Sequence, residues 1–350
     1  MKEARKIQKA GNSSLAISLP RNWVKERGVT SGDLLMVSED SGGFLKISLP
    51  TDKKHSTKCL INADRCRDEG LLERIIVGCY LLGYDTMRIT SERELSHLQL
   101  EEIRGVTKSL PGLEILEQTV RRIVVRCFVD PSRIPVDELI RKLHVMITTM
   151  LNEVLDAVMG KKPELARQAL HLGDEVNQIY NLLVRQLLLS FRERDLVEEI
   201  GIESPTGAVG QRLIAKALEE IGDLIEEIAR TALELGSTGR GISKPLLTKI
   251  KSVGTSIQTI FGKTMKAVFS KDIKLANENL SSLKAFGHQI KNVESDLEKG
   301  SDPDFSLIMS ILVNLEKVLG YCRIIGETTI NMRLTESSDI CTIERSNTSF

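Results

Sequence analysis

The sequence predicts a multidomain, mainly α chain: a small β unit at the N-terminus, a small α+β module, then two tandem three-helix bundles. Three observations carry this. Short strand-like runs bounded by turn residues crowd the first fifty positions. Strand-like and helix-like runs then alternate up to Pro135. Beyond it every apolar run has helical spacing, and the helices repeat themselves. At 350 residues, 41% hydrophobic and 27% charged, with 48 Lys and Arg against 48 Asp and Glu, the composition is that of a soluble globular protein of two or three domains.

In the first unit, Lys6–Gln8 and Ala16–Leu19 read as strands joined by a polar loop, Lys9-Ala10-Gly11-Asn12-Ser13-Ser14. A hairpin this small buries too little apolar surface to stand alone in water. Trp23-Val24 opens a short helix that Gly28 stops, Val29–Asp33 turns the chain, and Leu34–Ser38 and Phe44–Leu49 pair around Ser41-Gly42-Gly43. Residues 1–27 carry seven Lys or Arg against two Glu, net +5. Such a cluster supplies salt-dependent attraction to phosphate, and Asn12, Ser13 and Ser14 are short donors and acceptors suited to phosphate or base edges. The bland alternative is a solvated basic tail with a turn.

Gly11-Asn12-Ser13-Ser14, Ile17-Ser18-Leu19-Pro20, Trp23 and Gly32-Asp33-Leu34 occur in that order. Over residues 3–50 this resembles the SpoVT/AbrB swapped-hairpin DNA-binding domain, the family that includes MazE-type antitoxins. The resemblance implies that two chains exchange hairpins to build one barrel, burying Ile7, Leu15, Ile17, Leu19, Leu35 and Val37 across a homodimer. It also implies that Arg5, Lys9, Asn12, Ser13, Ser14 and Arg21 contact DNA.

Thr51–Thr57 reads as a polar linker, and residues 58–130 as the α+β module. Lys58–Ile61 is a strand, Leu71–Leu82 a buried helix, Thr86–Thr90 a strand and Leu100–Leu110 a helix. Leu113–Gln118 and Arg122–Phe128 pair as strands, an order that suggests a ferredoxin-like sandwich or one close to it. The module has no Gly-rich phosphate loop and no ligand cluster, and reads as a spacer or dimer-orienting element.

The helices are expected over Asp137–Val158, Pro163 to about Asp195, Gln211–Leu235, Pro245–Ser270, Lys271–Leu297 and Phe305–Met332, with 200–207 a loop and 334–350 a polar tail that frays. Shifted by 97 residues, Ala217–Ile221 lies on Asn314–Val318; shifted by 110, Leu151 and Leu155 meet Phe261 and Met265. The repeat therefore divides into bundles at 136–235 and 244–333. Gly173-Asp174-Glu175-Val176-Asn177 with Leu182–Leu187, and Ile214–Asp223, resemble the PhoU family over 136–332. An AbrB-like unit ahead of such bundles resembles the fused phosphate-uptake regulators of archaeal type. The resemblance implies negative regulation of phosphate transport, partners among transporter or sensor-kinase components, and metal ions held on acidic motifs.

From His171 to Leu235 there are thirteen acids against six Lys or Arg, net −7, so the two ends of the chain suit different partners. Glu219 and Asp223 are four apart and share a helix face, with Glu226 near it. With Asp174 they are the candidate ligands for a divalent or ferric ion at the first bundle. The family motif is incomplete: Gln178 and Asn177 stand where acids are expected. In the second repeat Glu316 faces Gly320, and Lys284 or Ala285 replaces Asp174, so no ion is expected there. His55, His97, His144, His171 and His288 are scattered, His171 being one turn from Asp174. No Ser/His/Asp or Cys/His arrangement is visible, which leaves a metal-dependent hydrolase the weakest reading. The six cysteines have no Cys-x-x-Cys spacing and read as buried free thiols. No secretory segment or apolar run near twenty residues is present, so a cytoplasmic chain without a transmembrane segment is expected. Two function classes remain: a dimeric DNA-binding regulator of phosphate uptake, or a protein-protein regulator whose N-terminal unit only dimerises.

Overall fold

The computed structural model describes residues 4–11, 14–39, 44–49, 57–160, 162–238, 242–298, 303–334, 337 and 340–342, and not the side chains of Arg194, Asp195 and Lys284. Asn12, Ser13, the Ser41-Gly42-Gly43 turn, the linker before Thr57 and most of the expected tail lie outside the described residues. The chain divides into two units, Met1–Ser56 and Thr57–Phe350.

In the first unit β1 (Gln8–Ala10) pairs antiparallel with β2 (Ser14–Ala16), setting Lys9 opposite Leu15 and Ala10 opposite Ser14. Lys9 and Ser14 are thus strand residues, not loop residues. Gly11, just past β1, takes a left-handed φ of 78° that a side chain would resist. α1 (Arg21–Arg27) follows Pro20 and ends at Gly28, and β3 (Met36–Glu39) pairs with β4 (Leu45–Ser48). The single chain forms two separate hairpins. Among the described residues of this unit none is buried.

The second unit begins with the α+β module: β5 (Lys58–Asn62), α2 (Leu71–Leu81), β6 (Thr86–Thr90), α3 (His97–Ser109), β7 (Leu113–Gln118) and β8 (Arg122–Cys127). The sheet order is β5-β6-β8-β7, with β5 and β6 parallel across α2 and the other pairs antiparallel. Two helices separate the first three strands and the last two form a hairpin. This β-α-β-α-β-β connectivity differs from the β-α-β-β-α-β of a ferredoxin-like fold. α3 starts earlier than periodicity suggests because Ser96 and Gln99 close a capping box, while the Gln99 amide also donates to Ala63 O and Cys66 O. Leu72, Ile76, Tyr80, Met87, Ile89, Ile103, Ile123 and Val125 form the module's core.

The remaining helices are α4 (Val136–Gly160), α5 (Pro163–Ser190), α6 (Arg194–Glu199), α7 (Pro205–Ser237), α8 (Lys244–Ser270), α9 (Ile273–Glu298) and α10 (Phe305–Arg333). The second of these stops at Ser190 instead of near Asp195, and a short extra helix follows. The expected loop at 200–207 ends early, because Pro205 occupies the first turn of α7 and Ser204 caps it, its Oγ accepting the Gly207 amide. One continuous apolar core runs through both bundles, from Val136 and Leu143 to Leu319 and Ile325. At Gly210 the helices α7 and α10 come so close that a Cβ there would overlap Met332.

α10 is the one helix, among the described residues, long and apolar enough by length and composition to cross a membrane, where the sequence predicted none. Its Ile308, Ile311, Leu315, Val318, Cys322 and Ile325 are buried in the bundle core. That is the pattern of a core helix. None of the six cysteines is in a disulfide; Cys66, Cys127 and Cys322 are buried and Cys59, Cys79 and Cys341 only half-buried.

One buried cation ties the module to the bundles. Arg185, 1% exposed, reaches from α5 to donate through Nη1 to Tyr80 O at 2.5 Å and Tyr84 O at 3.1 Å. Its Nη2 donates to Asp85 Oδ1 at 3.0 Å, and the guanidinium lies 4.9 Å from the Tyr80 ring centre. Next to it, the Gln186 amide donates to Pro131 O and Ile134 O, holding the segment that leads into α4.

Candidate functional site

Two surfaces carry the residues singled out from sequence. On the first unit, Arg5, Lys9, Ser14 and Arg21 are all exposed, with Lys9 on β1, Ser14 on β2 and Arg21 opening α1. Asn12 and Ser13 lie outside the described residues. Around these polar groups Ile7, Leu15, Ile17, Leu34, Met36, Val37, Phe44 and Leu45 are 55% to 81% exposed. Leu19 and Leu35 are half-buried. Eight large apolar side chains in water on so small a unit is a strongly unfavourable arrangement, because each forgoes about 1.5–3 kcal/mol of burial.

The second surface is the acidic stripe of α7. Glu219 and Glu226 are half-buried, Asp223 between them is exposed, and the core side chains Ile221, Ile225 and Ile228 point inward. Gly173 on α5 has no side chain, so the Glu226 carboxylate packs against it; a Cβ there would overlap that carboxylate. This contact brings Glu226 within electrostatic reach of Asp174 on α5 as well as Asp223 on its own helix. Burial pushes the carboxyls of Glu219, Asp223 and Glu226 above the usual range, with repulsion from their acidic neighbours adding to it.

Two cations balance the stripe. Lys216 Nζ donates to Glu219 Oε2 at 2.5 Å and lies 2.8 Å from Glu220 Oε1; Arg230 donates to Glu226 at 2.6 Å and Glu227 at 2.7 Å. Burial would lower the Lys216 pKa, but its two carboxylate partners raise it on balance. Glu220 also accepts from the Tyr321 hydroxyl of α10 at 3.0 Å, so the stripe is anchored to the second repeat. Among the described residues no three His, Cys, Asp or Glu side chains converge on one point where an ion would sit. Asp174 is exposed, and His171 is exposed one turn away without joining a cluster.

In the second bundle, Glu294 of α9 and Glu316 of α10 lie within electrostatic reach of one another, and burial with that repulsion pushes the Glu294 carboxyl up. The repeat alignment places Lys284 or Ala285 at the counterpart of Asp174 and Gly320 beside Glu316, and so does not point to Glu294. Arg185 and Gln186 escaped for a different reason: their partners lie from 52 to 105 residues away. The signal available was two polar residues inside the run Leu182–Leu189, where buried polar groups need partners.

Residues 140–232 match the family profile of the PhoU domain, a span from α4 through most of α7. Among solved structures the chain is similar to PhoU from Pseudomonas aeruginosa, at 19% identity and a TM-score of 0.46 over 57% of this chain and 91% of that one. It is also similar to the phosphate transport system regulatory protein PhoU from Streptococcus pneumoniae, at 16% identity and a TM-score of 0.49 over 58% of this chain and 96% of that one. No curated protein matches the chain.

Proposed function

We propose that this protein is a regulator of phosphate uptake, with its PhoU domain working by binding and not by turnover, and that it grips DNA as a dimer through its N-terminal unit. The observation that supports the DNA and dimer reading is a unit with no buried residue among those described, exposing eight large apolar side chains beside its basic cluster. A second copy supplies the missing interior: exchanged hairpins close one barrel over Ile7, Leu15, Ile17, Leu19, Leu35 and Val37. Doubling the unit also doubles the cations, so Arg5, Lys9 and Arg21 of both copies meet the phosphates of one duplex while Asn12, Ser13 and Ser14 reach its edges. The bundles then present an acidic face of opposite charge to cytoplasmic transporter or sensor-kinase components.

The acidic stripe is the place we propose for a divalent or ferric ion. Glu219, Asp223 and Asp174 are hard oxygen donors, and the mutual repulsion of these acids, which adds to the effect of burial on Glu219 and Glu226, is what a cation would relieve. Lys216 must release Glu219 for the ion to enter, which sets a modest affinity.

The test is light scattering of the full chain with and without duplex DNA, combined with binding to random and selected duplexes across salt concentrations. A dimer whose affinity falls log-linearly with salt supports the reading. A dimer with no salt-dependent DNA binding leaves the protein-protein regulator, and a folded monomer at micromolar concentration removes the barrel.

A further inference from the structure

Two of the half-buried cysteines meet inside the α+β module, away from both surfaces described above. Cys59 is the second residue of β5 and shares the helix-facing side of that strand with buried Ile61. Cys79 follows Leu72 by seven residues and Ile76 by three, so α2 turns it toward the same interface. Their Sγ atoms lie 3.5 Å apart. Other cysteines are placed differently: Cys66 Sγ donates to Asn62 O, and Cys322 is enclosed in the core of the bundles.

Sulfurs in a disulfide stand about 2.05 Å apart, so an approach of about 1.5 Å closes the bond. The side that can give is β5. It stands at the edge of its sheet, paired with β6 on one side, and its central Leu60 is 70% exposed. Cys79 is held more firmly. Its carbonyl accepts the Tyr84 amide at 3.0 Å, and the next carbonyl along, that of Tyr80, accepts Arg185. The two sulfurs also differ chemically. Burial, and after it the hydrogen bond with Cys59, push the Cys79 thiol up to about 12, so Cys79 keeps its proton. Reaction with an oxidant therefore starts at Cys59, and Cys79 is the resolving partner.

The geometry points to Cys59 and Cys79 as a reversible disulfide site that closes when the protein meets hydrogen peroxide. In the first step the Cys59 thiolate attacks one peroxide oxygen. An S–O bond forms, the O–O bond breaks, and the departing hydroxide takes up the proton that Cys59 released, giving water. In the second, the Cys79 sulfur attacks the sulfur of the Cys59 sulfenic acid. An S–S bond replaces the S–O bond, and the hydroxide leaves with the Cys79 proton as a second water. Two thiols give up two electrons, and one peroxide becomes two waters. A thiol reductant reverses the bridge by exchange. Closing it fastens to α2 the edge strand by which the chain enters its second unit.

The experiment exposes the full-length protein to millimolar hydrogen peroxide, unfolds it in iodoacetamide and maps the peptides by mass spectrometry. A Cys59–Cys79 cross-link is expected, and dithiothreitol should remove it. Amide exchange over 58–62 should slow about ten-fold or more in the oxidised protein, because the bridge opposes local opening of the strand. In Cys79→Ser, dimedone should trap Cys59 as its sulfenic acid; in Cys59→Ser, Cys79 should remain alkylatable under the same peroxide. Full alkylation of both cysteines in the peroxide-treated unsubstituted chain would overturn the proposal. So would a bridge from either one to a different cysteine or a second chain, or a Cys59 sulfenic acid that persists with Cys79 present. The cross-link in the unsubstituted chain decides the matter even where a variant fails to fold.

Discussion

Replacing Arg185 with Met removes the clamp between the α+β module and the bundles while keeping most of the side chain's apolar stem. The loss can be worked from the partners. A hydrogen bond to a charged group contributes about 1.5–3 kcal/mol, and the guanidinium makes two, one to the buried Tyr80 carbonyl and one to that of half-buried Tyr84. Tyr80 O keeps the Gly83 amide at 3.0 Å as a second partner, so it is not orphaned. Asp85 keeps the Thr57 amide at 3.0 Å and its side chain is 36% exposed, so its lost ion pair is discounted for solvent screening. Against these losses stands a gain, because Arg185 Nε is itself a buried donor without a partner. The balance is a destabilisation of about 2–3 kcal/mol, below the roughly 3–5 kcal/mol of a fully buried pair broken on one side. In urea, with a slope of about 3 kcal/mol/M, the midpoint should fall by nearly 1 M. Amide exchange should quicken first around 80–85. Arg185→Lys should not rescue it, since one ammonium cannot fork to three acceptors. An unchanged or raised midpoint in Arg185→Met would refute the reasoning and mark the buried charge as a net cost.

Other expectations follow from the surfaces. Lys9→Ala with Arg21→Ala should lower DNA affinity alike on all duplexes and flatten the salt slope by about two, measured by titration anisotropy; unchanged affinity at low salt removes these contacts. Glu219, Asp223 and Glu226 have folded pKa values raised by burial, so the folded chain keeps protons there that the unfolded chain has released. Their contribution to stability therefore falls as pH rises from the ordinary carboxylate range through the raised values, then levels off. Glu220, held low by Lys216 and Tyr321, acts with the opposite sign. Asp223→Asn should flatten part of the fall in urea midpoints read against pH. In metal titrations by calorimetry the same variant should abolish binding while Glu316→Gln changes nothing; ion binding lost only with Glu316 would move the site to the second bundle. Tyr321→Phe removes the 3.0 Å bond to Glu220 and should cost about 1 kcal/mol in the same unfolding assay.

The helical half of the chain was largely legible because its apolar spacing depends only on neighbours along the chain. α8 and α10 lie within a residue of their expected ends. Boundaries failed where a side chain overrode periodicity: the Ser96–Gln99 box lengthened α3, and the Ser204 cap with Pro205 started α7 six residues before the expected Gln211. The stripe's composition could be read from Glu219 and Asp223, but its closure could not. That Glu226 leans on Gly173 is a fact of packing between helices, whereas Lys216 and Arg230 neutralise the acids within α7 itself, at three- and four-residue spacings that the sequence carries. Glu294 was hidden by an alignment that assumed the two repeats place their acids at equivalent turns.

If the first unit pairs as proposed, the absence of a buried side chain among its described residues makes quantity an input to this protein. On that reading the folding free energy of the unit depends on how many copies surround it. While copies are scarce, doubling their number raises the paired form about four-fold, by mass action. Occupancy of a DNA site would then climb more steeply than expression does. A cell could set the threshold through synthesis and decay of the chain, with no signal needed to touch residues 4–49.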